Sequence, residues 1–127
     1  MQLQSMASNG NAPILIVEDD REIREAMREA LEDAGYNVTV AQHGRDALDK
    51  LQSMQKPMLI LLDLMMPVMS GPELLEVLRA DHDADEIPIV VVSAYSLSDD
   101  SSCGVAGFLP KPFTLHALLD CAARFRH

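Results

Sequence analysis

The sequence predicts a doubly wound α/β domain: one five-stranded parallel sheet with helices against both faces. Three observations carry this. Short apolar runs recur five times, helix-patterned segments alternate with them, and the runs are apolar at nearly every position rather than every second one. Alternating strands and helices imply parallel pairing through right-handed crossovers. Strands apolar on both faces imply a sheet covered on both sides, a three-layer sandwich. In this architecture the first and third strands are central, and ligands bind beyond the carboxyl ends of the strands at the switch point between them.

Each element has its own signal. "PILIV" (13–17) reads as a buried strand, after which Asp19 or Asp20 caps a helix. That helix places Ile23, Ala26, Met27, Ala30, Leu31 and Ala34 on one face, and Gly35 stands where a helix-terminating glycine belongs. "YNVTV" (36–40) is the second strand. The helix over 44–54 puts Ala47, Leu48, Leu51 and Met54 inward and stops before Pro57. "MLILL" (58–62) is the third strand. Pro72 and Glu73 open a helix over 71–81, with Leu74, Leu75 and Leu78 facing the core. "IPIVVVS" (87–93) is the fourth strand and "GFLPKPF" (107–113) holds the fifth. A final amphipathic helix over 114–125 uses Leu115, Leu118, Leu119, Ala122 and Phe125. Between the last two strands, "SLSDDSSCG" is rich in Ser and Asp, which compete for the backbone and favour turns. The helix expected there is short or disordered over 95–104.

The chain has 127 residues, 48% of them apolar, which suits one core. We expect a flexible arm over 1–12 and a single domain over 13–127. A net charge of −10 with scattered basic residues argues against nucleic-acid binding. No apolar run reaches the roughly 20 residues that span a bilayer, and the first residues lack the pattern of a signal peptide. Cys103 and Cys121 have no metal-ligand spacing and read as reduced thiols in a cytoplasmic protein. His43, His82, His116 and His127 likewise show no ligand spacing and read as surface residues.

The chemistry lies at the strand ends. Strand one runs into Glu18, Asp19 and Asp20, strand three into Asp63, strand four into Ser93 and strand five into Lys111; only strand two ends blandly, in Val40 and Ala41. With strands one and three adjacent, Glu18, Asp19 and Asp63 converge. Two carboxylates at about 4 Å repel by about 4 kcal/mol at an effective dielectric near 20, so the cluster needs a proton or a divalent cation. An all-oxygen ligand set suits Mg2+. A carboxylate held beside a cation can attack phosphorus and become an aspartyl phosphate. Lys111 can supply a positive charge and Ser93 a hydroxyl donor to the phosphoryl oxygens.

At these residues the chain resembles a known family. "ILIVEDD", "LLDLMMPVMSG", "VVVSA" and "FLPKPF" look like the receiver domain of two-component response regulators, over roughly residues 13 to 125. The resemblance implies a flavodoxin-like sheet of order 2-1-3-4-5. It implies Asp63 as phosphoacceptor, and Glu18, Asp19, Asp63 and the backbone carbonyl of Met65 as Mg2+ ligands. It also implies Lys111 as the phosphate-binding lysine, with a cis bond to Pro112, and Ser93 and Phe108 as the hydroxyl and aromatic switch residues. The donor would be a histidine kinase or a histidine phosphotransfer protein, with the downstream target open. Met65 and Tyr95, two residues beyond Asp63 and Ser93, suggest slow autodephosphorylation, so the protein takes part in its own phosphotransfer without being a turnover enzyme. The segment between Ser93 and Phe108 departs from the family in being a few residues shorter.

Three rival readings follow from the same residues. A phosphorylation-independent adaptor of the same fold commonly lacks an acid or the lysine, and this chain lacks neither. A nucleotide or flavin binder needs an anion-friendly turn after the first strand, whereas "VEDDRE" would repel a phosphate there. A phosphohydrolase needs its own water-activating base and a lid, for which the chain is too short.

Overall fold

The computed structural model describes residues 12–63, 71–80, 86–93 and 105–126, with the side chains of 71, 72 and 75 left aside. Five strands, β1 (Ile14–Val17), β2 (Val38–Ala41), β3 (Leu59–Asp63), β4 (Ile89–Ser93) and β5 (Gly107–Pro110), form one sheet. Its order is β2-β1-β3-β4-β5. Every neighbouring pair is parallel, with Ile14 opposite both Val38 and Leu59, and Asp63 opposite Val92. The described helices are α1 (Arg21–Asp33), α2 (Gly44–Ser53), α3 (Gly71–Ala80) and α4 (Leu115–Ala123).

Successive residues of a strand point to opposite faces, and the core divides accordingly. Ile14, Ile16, Leu59, Leu61, Val90 and Val92 pack with Met27 and Leu31 of α1 and Leu118, Cys121 and Ala122 of α4. Leu15, Val17, Ile60 and Leu62 pack on the other side with Ala47 of α2 and Leu74 and Leu78 of α3. Two dry layers therefore fix the register of β1 against β3. A slip of one residue would turn every apolar side chain to the wrong layer.

The helix termini meet some expectations and correct others. Asp20, rather than Asp19, caps α1, its Oδ1 accepting from the amides of Glu22 (2.9 Å) and Ile23 (3.2 Å). Such a cap contributes about 1 kcal/mol. Gly35 closes α1 at φ +100°, a conformation open to glycine at no steric cost. The Tyr36 amide donates to Leu31 O and the Gly35 amide to Glu32 O, both at 3.0 Å, which is the Schellman closure. That bond takes Tyr36 out of the second strand, which begins at Val38. Ala26, Ala34 and Leu115, expected to face the core, are exposed. The apolar stripes of α1 and α4 are wider than the sheet they cover.

His43, expected to be a surface residue, is half-buried and caps α2: its Nδ1 accepts from the Asp46 amide at 3.1 Å. Asp46 Oδ2 in turn accepts from the Gln42 amide at 3.0 Å and lies 3.4 Å from Lys50 Nζ. Burial opposes the charge of Asp46, but the Gln42 amide and Lys50 outweigh it, and the carboxyl titrates below its ordinary 3.8. A depressed carboxyl stabilises the fold above its unfolded pKa and loses that contribution as pH falls through the folded value. Wild type is therefore expected to be more stable than Asp46→Ala at pH 6, by less than about 1 kcal/mol as for exposed pairs. The gap should narrow as pH falls below 3.8, read from melting temperatures. A gap that widens in acid would contradict this.

The expected short helix over 95–104, Cys103, His82 and His127 lie outside the described residues, as do residues 1–11 of the expected arm. Cys121 is a buried free thiol, and burial pushes its pKa up. His116 is exposed and pairs with Asp120 at 3.2 Å.

Candidate phosphoryl-acceptor site

The carboxyl ends of β1, β3, β4 and β5 meet at one edge of the sheet. Glu18 follows β1 directly and is 1% exposed. Its amide donates to Ala41 O at 3.1 Å, extending the β1–β2 ladder by one step. Its Oε2 accepts from the Asp20 amide at 3.1 Å. Asp63, the last residue of β3, is 4% exposed. Asp19 stands at the rim and is exposed. One carboxylate oxygen from each of Glu18, Asp19 and Asp63 lies within 4.8 Å of the others.

Lys111 closes the cluster. Its amide donates to Ser93 O at 2.8 Å, carrying the β4–β5 pairing one residue past the strand. The peptide bond to Pro112 is cis. Its Nζ lies 2.9 Å from Glu18 Oε1 and 3.7 Å from Asp63 Oδ2. Burial works most strongly against the ammonium charge, yet Glu18, then Asp63 and Asp19, outweigh it and raise the lysine above its ordinary 10.5. Lys111 is thus a cation throughout the neutral range. Ser93 is 1% exposed and stands opposite Pro110, the residue before the lysine, and Phe108 stands outward on β5 at 38% exposure.

Three ionised carboxylates against one ammonium leave two negative charges in a cleft that is mostly buried. Glu18 Oε1 is close enough to Lys111 for strong charge pairing, but no hydrogen bond of ordinary geometry reaches this buried oxygen. An ion pair of poor directionality leaves this buried oxygen only partly satisfied, which is costly. A small divalent cation among these oxygens would satisfy Glu18 Oε1 and balance the charge at once, and an all-oxygen donor set is what Mg2+ takes. The residues fit the metal. Met65, the fourth expected ligand, lies outside the described residues.

Beside Lys111 an open apolar depression of 360 Å³ is lined by Ile23, Ala26 and Met27 of α1 together with Pro112, Phe113 and Leu115. The outward Ala26 and Leu115 belong to it. Among the described residues, no helix is long and apolar enough to cross a membrane.

Fold and cluster together define a class: a doubly wound domain that gathers three carboxylates and a lysine at the switch point of a parallel sheet. The family model for the response regulator receiver domain matches residues 14–123, and the chain belongs to that family. Response regulator MprA of Mycolicibacterium vanbaalenii is 43% identical over 110 residues, which are 84% of this chain and 46% of that protein. The chain spans about half the length of such curated relatives. Chemotaxis protein CheY4 of Vibrio cholerae superposes with a TM-score of 0.84 at 33% identity, covering 91% of this chain and 98% of that one. Response regulator protein TrrA of Thermotoga maritima, solved in complex with Mg(2+)-BeF, gives a TM-score of 0.79 at 33% identity, covering 90% and 98%.

Proposed function

We propose that this chain is a phospho-accepting switch that takes a phosphoryl group on Asp63 with Mg2+ and changes its affinity for a partner. The observation that carries this is the placement of the Asp63 carboxylate between Lys111 and the Glu18–Asp19 pair. The donor is a phosphohistidine on a kinase or phosphotransfer protein. An Asp63 oxygen attacks phosphorus, the new O–P bond forms, and the P–N bond breaks with its electron pair passing to the imidazole nitrogen. Phosphoryl transfer asks for in-line positioning and neutralised charge more than for covalent machinery.

Glu18, Asp19, Asp63 and the Met65 carbonyl would hold Mg2+, which would supply positive charge to the phosphoryl oxygens. Lys111 meets a phosphoryl oxygen with its own charge, and the Ser93 hydroxyl donates to another. The donor protein has to bring its histidine to Asp63, and the apolar depression beside Lys111 offers it a dry contact. The response is a population shift: Ser93 is drawn to the phosphoryl group and Phe108 turns inward from its exposed position. Such couplings are worth about 1–3 kcal/mol. The chain modifies itself and does not turn over an external substrate.

The reading is tested by mixing the protein with Mg2+ and a small acyl-phosphate, then measuring intact mass. A gain of one phosphoryl group that disappears with a chelator is the expected result. A chain that stays unmodified under saturating donor would instead be a phosphorylation-independent adaptor.

A further inference from the structure

We infer that Arg24 is a positioning residue for the cation site, acting through the backbone of the turn that carries Glu18 and Asp19. The inference rests on the Mg2+ site proposed above. The turn from Glu18 to Asp20 offers three carbonyls, and Arg24 meets all of them. Its Nη1 donates to Glu18 O at 2.9 Å and to Asp19 O at 3.4 Å. Its own amide donates to Asp20 O at 2.9 Å. On the donor side, the Glu18 amide is held by Ala41 O and the Asp20 amide by Glu18 Oε2.

This matters most for Asp19. Among the described residues, its carboxylate takes no hydrogen bond or ion pair, so its aim toward Glu18 and Asp63 is set by the backbone of the turn. One nitrogen, Nη1, reaches two successive carbonyls, firmly at Glu18 and more loosely at Asp19, and so ties the turn to α1. Groups that orient a ligand from behind commonly change metal affinity by 10–100-fold. Arg24 reaches back from the first full turn of α1, so the rigid helix, anchored in the core by Met27 and Leu31, becomes the support of the site.

Electrostatics alone predicts the opposite sign. Arg24 is a cation near a cation site, and removing its charge should strengthen Mg2+ binding. The deciding experiment is calorimetric titration of Mg2+ into wild type, Arg24→Met and Arg21→Met. Arg21 is exposed on the same helix and matches the charge removed. Arg24→Met is expected to bind Mg2+ about tenfold more weakly, with faster amide exchange at Asp20, while Arg21→Met binds as wild type or slightly better. Arg24→Lys, which keeps the charge on a shorter side chain that reaches the two carbonyls less well, should fall between wild type and Arg24→Met. Affinity in Arg24→Lys and Arg24→Met equal to or tighter than wild type would overturn the role of Arg24 while leaving the metal site standing. Absence of saturable binding in wild type would remove the site and this inference with it.

Discussion

Asp63→Ala is expected to abolish the one-phosphoryl mass gain entirely. Asp63 is buried at the end of the central strand β3, with the Lys111 ammonium 3.7 Å from its Oδ2. Asp19 is exposed at the rim, and Glu18 spends one oxygen on the Asp20 amide and the other on the lysine. The same substitution removes one of three mutually repelling carboxylates. Stability without Mg2+ should therefore hold or rise, so loss of the mass gain cannot be blamed on unfolding. Residual modification of the variant at the wild-type rate would place the acceptor elsewhere.

Lys111→Met is expected to separate chemistry from metal binding. Removing a preorganised charge from a phosphoryl site should slow modification by the acyl-phosphate about 100-fold. Mg2+ should nonetheless bind more tightly, because the lysine competes with it for Glu18 and Asp63. Without divalent cation the variant leaves two buried carboxylates unbalanced. Breaking a fully buried pair costs several kcal/mol; Lys111 keeps a fifth of its side chain in water, which reduces the loss to about 2 kcal/mol. Saturating Mg2+ should restore most of that stability. Equal slowing of both chemistry and metal binding would mean that the lysine organises the cleft rather than charging it.

The sequence revealed most of what places the site. Five apolar runs with helical spacers fix the sheet, and polar residues at the ends of four of them mark the cleft, because a strand's last residue is the one that can leave the core. The order of strands then brings Glu18, Asp19, Asp63 and Lys111 together without further information. What stayed hidden depends on reach rather than period. Arg24 occupies an unremarkable helical position, and only coordinates show its guanidinium turned back over the turn. His43 leaves no signal in the sequence, since histidine is not among the usual capping residues, and only the fold places its Nδ1 on the Asp46 amide. Ala26, Ala34 and Leu115 carry the right periodicity but overhang the sheet, since a stripe of apolar residues tells direction and not the width of what it meets. β2 starts two residues later than the sequence suggests for a local reason: Tyr36 is β-prone, but its amide is taken by Leu31 O.

In the proposed switch, acids from the tips of β1 and β3 share one cation beside Asp63. Titration of Mg2+ followed by nuclear magnetic resonance tests this most directly. Saturable amide shifts concentrated at Glu18, Asp19 and Asp63, and lost in Asp63→Asn, are predicted. Shifts spread evenly over the acidic surface, or unchanged by that substitution, would contradict it.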